Sequence, residues 1–198
     1  FLRSVREKCS KKVIVLAPTG IAAVNANALT IHSFFQFPFT ILDEEFYKNS
    51  FPRYNEAKKE VIEEMELLII DEVSMMDINL MSSLLQALAK GCRLILVGDV
   101  DQLPSVGAGS VLKDILISDT VPKVVLTEVF RQSGESSIVL NAHLINRGQL
   151  PQCNDTDFKF IELTDSALAA QNIVKLCLAE VNFANNLSLN DVQVLSPM

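Results

Sequence analysis

Cysteine is scarce in this chain of 198 residues, and the four that occur, Cys9, Cys92, Cys153 and Cys177, stand far apart with no C-x-x-C pair. That spacing excludes a disulfide framework and a zinc ribbon. With no signal peptide ahead of them, the thiols read as reduced cysteines of a cytoplasmic protein. Glycine and proline number seven each, too few for a collagen-like or low-complexity chain. No apolar run approaches the roughly 20 residues that a bilayer span requires, which excludes a membrane partner. Basic side chains are in deficit, 17 against 24 acidic ones for a formal charge of −7. A broad basic patch of the kind that gives non-specific DNA affinity is therefore excluded, while a narrow site is not. Apolar residues are plentiful at 49%, which excludes disorder and suffices for one main core at this length.

Those apolar residues fall into alternating patterns. Phe1, Leu2, Val5 and Cys9 recur at helical spacing over residues 1–9. The run Val13-Ile14-Val15-Leu16, ending in Ala17-Pro18-Thr19-Gly20, predicts a buried strand and a turn, with helical stretches following over 21–28 and 31–35. Residues 36–55, with Pro38, Pro52 and several aromatics, read as an excursion, and Glu56–Glu66 as a charged helix. The next segment alternates regularly: strand Leu67–Ile70, helix Asp77–Lys90, strand Leu94–Val97, helix Ser110–Ile117, strand Lys123–Leu126, helix Ser136–Asn146. Over 77–90, Leu80, Met81, Leu84, Leu85 and Leu88 form one apolar face, and Gly91 is the stop signal. Beyond Pro151 the pattern predicts a strand at Phe158–Ile161 and a helix from Asp165 to about 181. That helix would turn Ile173, Val174, Cys177, Leu178 and Val181 inward, ahead of a last strand at Val192–Leu195. The predicted class is α/β, a doubly wound and mostly parallel sheet with helices on both faces, whose ligands sit beyond the C-terminal ends of the strands.

Three of those strand ends carry chemistry. Leu67-Leu68-Ile69-Ile70 delivers Asp71 and Glu72, a carboxylate pair suited to a metal partner and a base that polarises water. The plainer reading is a solvated acidic turn. Val97-Gly98-Asp99-Val100-Asp101-Gln102 places an amide at the neighbouring edge position, where it can bond both a phosphate and water, or else forms only a Gly-Asp turn before Pro104. Leu126-Thr127-Glu128-Val129-Phe130-Arg131 ends in a guanidinium, planar and permanently charged, suited to a transferring phosphoryl group or merely exposed. Acid, amide and guanidinium on successive strand ends make coincidence a poor explanation.

Four strings together resemble a known family. Ala17-Pro18-Thr19-Gly20-Ile21-Ala22-Ala23, Ile69-Ile70-Asp71-Glu72-Val73-Ser74-Met75, Gly98-Asp99-Val100-Asp101-Gln102-Leu103-Pro104 and Glu128-Val129-Phe130-Arg131-Gln132 resemble motifs Ia, II, III and IV of superfamily 1 DNA helicases in the 5′-to-3′ branch. The stretch from Ile69 to Pro151 is most similar to the RecD-like, exonuclease V α-subunit type, while Thr30-Ile31-His32-Ser33-Phe34-Phe35 is similar to the related Pif family. The resemblance implies a RecA-like motor domain that hydrolyses ATP with Mg²⁺ and translocates on single-stranded DNA. It also implies, as partners, a second RecA-like domain of the same parent chain and helicase–nuclease subunits.

By the same resemblance Asp71 is the Mg²⁺ partner through water and Glu72 the catalytic base. Gln102 is the γ-phosphate sensor, Asp99 a further nucleotide-side residue, and Arg131 the arginine that stabilises transferred charge. Pro18, Thr19 and Gly20 approach the DNA backbone, with His32 near the same strand. His32 keeps two readings, a polar contact to single-stranded DNA or a structural histidine, while Phe35 reads as core. His143, with Asn141 and Arg147, reads as packing or helix capping rather than catalysis.

One departure stands against these matches. The P-loop G-x-x-x-x-G-K-[ST], whose backbone N–H groups and Lys cradle phosphates, is absent: the glycines are 20, 91, 98, 107, 109, 134 and 148, and none precedes Lys. The expected organisation is a RecA-like domain over 1–190 lacking its first strand and P-loop, with 36–66 as excursion and helix. Residues 191–198 would then start the connection to the second motor domain. Two other functions fit the sequence, an ATPase module that does not act on DNA and a degenerate, non-catalytic interaction domain.

Overall fold

β-Branched and aliphatic residues pack well on a pleated surface, and Val13–Ala17 forms strand β1 in the computed structural model. The structure describes residues 2–38, 54–126, 136–154, 156–182 and 188–196, which belong to two compact units, 1–126 and 127–198. The first unit runs α1 (Leu2–Lys8), β1, α2 (Gly20–Asn25), β2 (Leu29–Thr30), α3 (Ile31–Phe35), α4 (Glu56–Glu63), β3 (Leu67–Ile70), a 3₁₀ turn (Val73–Met75), α5 (Ile78–Ala87), β4 (Arg93–Leu96) and α6 (Val111–Ser118). Its four strands form one parallel sheet in the order β2-β1-β3-β4. The two-residue β2 had no signal in the sequence beyond Leu29-Thr30 preceding a helix.

Register decides which side chains share a face. Ile14 pairs with Leu68, and Leu68 with Leu94; Leu16 pairs with Ile70, and Ile70 with Leu96. These even-numbered residues face a core with Ile31 and Phe35 of α3, Ile62 of α4, Leu80 and Leu84 of α5, and Leu112 of α6. The odd-numbered Val15, Leu67, Ile69, Ile95 and Val97 face the other side, where Val5 of α1 packs. Helices therefore lie on both faces of a parallel sheet, the α/β class that the strand and helix alternation predicts. Phe34 and Phe35 meet edge to face at 4.8 Å, and Phe35 stacks on Phe37 at 5.5 Å, so the aromatic pair beside His32 is core.

Helix α5 departs from its predicted face. Leu85 is 55% exposed, and the wholly buried Ser83 takes its place among Leu80, Met81, Leu84 and Ala87. Burial of a hydroxyl is tolerated because its Oγ donates to the Asn79 carbonyl at 2.8 Å, one turn back. Three predicted strands are also corrected: 123–126, 158–161 and 192–195 are extended or irregular, without ladder pairing among the described residues. An apolar run becomes a strand only when a neighbour takes its backbone groups, and β4 is the last strand of the sheet among the described residues. Val124 and Leu126 are each 89% exposed, which fits that lack of a partner.

The second unit holds α7 (Ser137–Asn146) and α8 (Ser166–Asn182). Asn141 of α7 is wholly buried: its amide donates to the Gln152 carbonyl at 2.7 Å and accepts from the Gln152 N–H at 2.6 Å. Asn141 thus packs, as its sequence implies, while His143 and Arg147 are exposed. In α8, Ile173, Val174 and Leu178 are exposed, against the inward face predicted for them, while Cys177 and Val181 are half-buried. All four cysteines are free, and no helix among the described residues is long and apolar enough to cross a membrane.

Candidate nucleotide and nucleic-acid site

Parallel strands end on one edge, so three of the four strings meet there. Pairing continues past the strands: the Asp71 N–H donates to the Leu16 carbonyl at 2.9 Å and the Val97 N–H to Ile70 at 2.8 Å. The Val73 N–H then returns to the Val97 carbonyl at 2.9 Å. These bonds fix the Asp71–Glu72 turn between the ends of β1 and β4.

Asp71 and Glu72 are half-buried at that edge. The Asp71 carboxylate accepts the Glu72 N–H at 3.1 Å. Glu72 has φ 57° and ψ 43°, a left-handed conformation that costs a side-chain-bearing residue energy and so marks a strained position. It opens the 3₁₀ turn, in which Ser74 has a buried hydroxyl with no hydrogen-bond partner among the described residues. Gly98 is required by close approach: a Cβ there would stand 2.9 Å from Leu112 Cδ2 and 3.1 Å from the nitrogens of both Val73 and Ser74. The backbones that carry the acid pair and the amide therefore touch.

Asp99 is exposed and occupied by its own turn, its carboxylate accepting the Asp101 N–H at 2.9 Å while the Gln102 N–H reaches the Asp99 carbonyl at 3.4 Å. Gln102 follows on the same edge with its side chain in solvent. Arg131 lies outside the described residues, as does the whole Glu128–Gln132 string.

At the end of β1, Pro18 and Thr19 are half-buried and Gly20 is exposed. Thr19 caps α2, its hydroxyl accepting the Ala22 N–H at 3.4 Å. A Cβ on Gly20 would meet nothing within 4 Å, so the packing of this chain leaves that surface open. His32, on α3, is half-buried and edge-on to Phe37 at 6.4 Å between ring centroids. Burial pushes its pKa below the usual histidine value against the opposing charge of Asp77, so the ring is neutral at pH 7.

Gly20, Asp99 and Gln102 on this edge are exposed. A shallow depression of about 330 Å³ lies at the opposite end of the sheet, lined by residues including Glu64, Glu66, Lys90 and Arg93. No group of three or more His, Cys, Asp or Glu side chains that could hold a metal occurs among the described residues. Two half-buried carboxylates at an open edge do suit Mg²⁺, which proteins commonly hold through one or two carboxylates while waters and substrate phosphates fill the remaining positions. Asp77 was missed as a site residue. Its only sequence signal is an acid ahead of an apolar helical run, yet it touches the loop that follows β4 and caps the helix that follows the acid pair.

A family profile described as an AAA domain matches residues 1–165. The chain belongs to that family, among the RecD-like and Pif1-like superfamily 1 helicases. It is similar to the ATP-dependent RecD2 DNA helicase of Deinococcus radiodurans, 39% identical over 133 residues, which cover 67% of this chain and 17% of that protein. It is similar to the ATP-dependent DNA helicase PIF1 of Candida albicans, 30% identical over 224 aligned positions, covering 98% of this chain and 24% of the relative. Among solved structures it resembles a Bacteroides Pif1 helicase in complex with ADP-AlF3 and ssDNA, with TM-score 0.63 and 28% identity, covering 91% of this chain and 49% of that one. The chain thus spans about a quarter or less of the two curated relatives.

Proposed function

We propose that this chain is the first motor domain of an ATP-dependent 5′-to-3′ DNA helicase, with its nucleotide and DNA surfaces side by side on the C-terminal edge of the sheet. The observation that carries the reading is the backbone bonding that sets the turn bearing Asp71 and Glu72 between the ends of β1 and β4. Bound Mg²⁺ would supply charge neutralisation for the nucleotide phosphates. Asp71 would hold that ion through its water shell, and Glu72 would take the proton from the attacking water. Gln102 orients the same water and reads the terminal phosphate through an amide that donates and accepts without changing charge. Arg131 balances the charge that spreads onto the transferring phosphoryl group. Pro18, Thr19 and Gly20 offer a surface on which a phosphodiester backbone can approach closely, and His32 lines the same side as a neutral polar contact. The Bacteroides Pif1 helicase that the chain resembles is in complex with ADP-AlF3 and ssDNA, which supports a reading with both a nucleotide and a single strand as ligands.

Phosphoryl transfer depends mostly on positioning, and no P-loop occurs within these 198 residues, so the chain by itself does not turn over ATP. The test uses the full-length protein. Glu72→Gln should abolish ssDNA-stimulated ATP hydrolysis, and His32→Ala should lower the stimulated rate more than the basal one. Turnover by the 198-residue chain that Glu72→Gln removes would overturn the reading of where the active site is divided.

A further inference from the structure

Asp77 stands six residues past Asp71, outside the acid pair, hydrogen-bonded on one side and closely packed on the other. Its Oδ1 accepts the Leu80 N–H at 2.8 Å and so caps α5. On its other side lies the loop after β4. A Cβ placed on Gly107 would stand 2.0 Å from Asp77 Oδ2, 2.7 Å from its Cγ and 2.8 Å from its Cβ, so the loop backbone lies directly against this carboxylate. The next residues repeat the contact. The Ile78 N–H donates to the Ala108 carbonyl at 2.9 Å, and Gly109, at φ +94°, passes 3.1 Å from Ile78 Cβ, measured from where its own Cβ would be. The Asp77 charge also acts on His32 of α3.

We infer that Asp77 and Gly107 form a latch: the Asp77 side chain holds the 98–110 loop, and with it Gln102, against the turn that bears Asp71 and Glu72. The inference rests on the helicase reading above and extends it to how the loop of Gln102 is kept in register with the hydrolytic edge. Asp77 is a positioning residue. It acts through the register of the loop, and the latch closes because residue 107 has no side chain. Ser105 braces the same loop from within, its one hydroxyl proton shared between the carbonyls of Gly107 and Gly109, each 3.0 Å from Oγ. A displaced loop moves Gln102 while leaving Asp71 and Glu72 held by the strand ladder, so the effect belongs in turnover rather than in nucleotide affinity.

Two measurements test this. In the full-length protein, Gly107→Ala should lower kcat for ssDNA-stimulated ATP hydrolysis about tenfold or more, since sub-ångström to ångström misplacement of a catalytic group has effects of that order. KM for Mg-ATP should stay within about twofold. Asp77→Asn, which keeps the shape and the cap acceptor, should stay near the wild-type kcat, whereas Asp77→Ala should follow Gly107→Ala. In the 198-residue chain, Gly107→Ala should lower the melting temperature. Adding Asp77→Gly, which removes the obstructing side chain at small cost to the cap, should recover most of that loss. Strictly additive effects in that pair, or a wild-type kcat for Gly107→Ala, would overturn the latch. A wild-type protein with no ssDNA-stimulated hydrolysis would instead overturn the helicase reading, and with it the role given to the latch in turnover. The melting cycle would still decide the contact itself.

Discussion

Glu72 occupies the left-handed region while bearing a side chain, and the cost of that choice can be measured directly. A left-handed conformation costs an L-residue roughly 1–2 kcal/mol, and glycine avoids it. Glycine in turn loses more freedom on folding, which takes back about 0.4–1 kcal/mol. The expected net advantage of Glu72→Gly over Glu72→Ala is therefore about 1 kcal/mol. Both variants lack the carboxylate, so the difference between them reports the backbone alone. For a chain of this size about 1 kcal/mol moves the melting temperature by roughly 2–4 °C. Thermal unfolding followed by circular dichroism should place the glycine variant above the alanine variant by that interval. In the full-length protein both should lack ATP hydrolysis, because neither carries the base. An alanine variant that melts at or above the glycine variant would refute the argument that strain is held at this position for the sake of the side chain it presents.

Other expectations follow from burial and charge. Leu84→Ala should destabilise by about 2–5 kcal/mol because Leu84 is wholly enclosed, whereas Leu85→Ala, at a site 55% exposed, should change stability by less than about 0.5 kcal/mol; urea unfolding separates the two. Asp157 is held down to about 2 by hydrogen bonds from Asn154, Ser136 and the Ser137 N–H, at the start of α7. Its stabilisation is therefore complete above the ordinary value of 3.8 and is lost as pH falls through about 2, and amide exchange at Ser137 should accelerate over that window in the wild type but not in Asp157→Asn. Burial pushes the Tyr54 phenol up to about 12, while its hydroxyl donates to the Phe35 carbonyl at 3.1 Å. In a Tyr47→Phe background, near-ultraviolet absorbance should show ionisation only near that value, and Tyr54→Phe should lower stability by about 1 kcal/mol.

What the sequence made legible was local. Strand β3 and helix α3 match their predicted bounds residue for residue, because each is a short apolar or capped segment whose ends carry their own signals, Asp71 after β3 and Thr30 before α3. The Asp71–Glu72 turn was legible for the same reason: a buried strand must end somewhere, and acids end it. What failed needed distant partners. The 123–126 run has a strand composition but no ladder, and Leu85 lost its place to Ser83 because the turn of α5 against the sheet, not periodicity alone, chose the buried stripe. Gly107 carried no signal at all, since its requirement is set by Asp77, thirty positions earlier in the chain.

The three loops on the proposed ligand edge also differ from the rest of the chain in charge. Residues 17–20, 71–77 and 97–110 contain Asp71, Glu72, Asp77, Asp99 and Asp101 and no Lys or Arg. A polyphosphate brought to such a surface meets repulsion from the acidic loops, and the low dielectric of a half-buried edge strengthens it. Hydrolytic chemistry needs these acids, to order metal-bound water and to take a proton, but the same acids oppose binding of the nucleotide. The opposition is resolved only if positive charge arrives from outside these loops, as from the cation that travels with the nucleotide. On this account the edge holds the reacting groups in register through the ladder and the Gly98 contact, while affinity is assigned elsewhere.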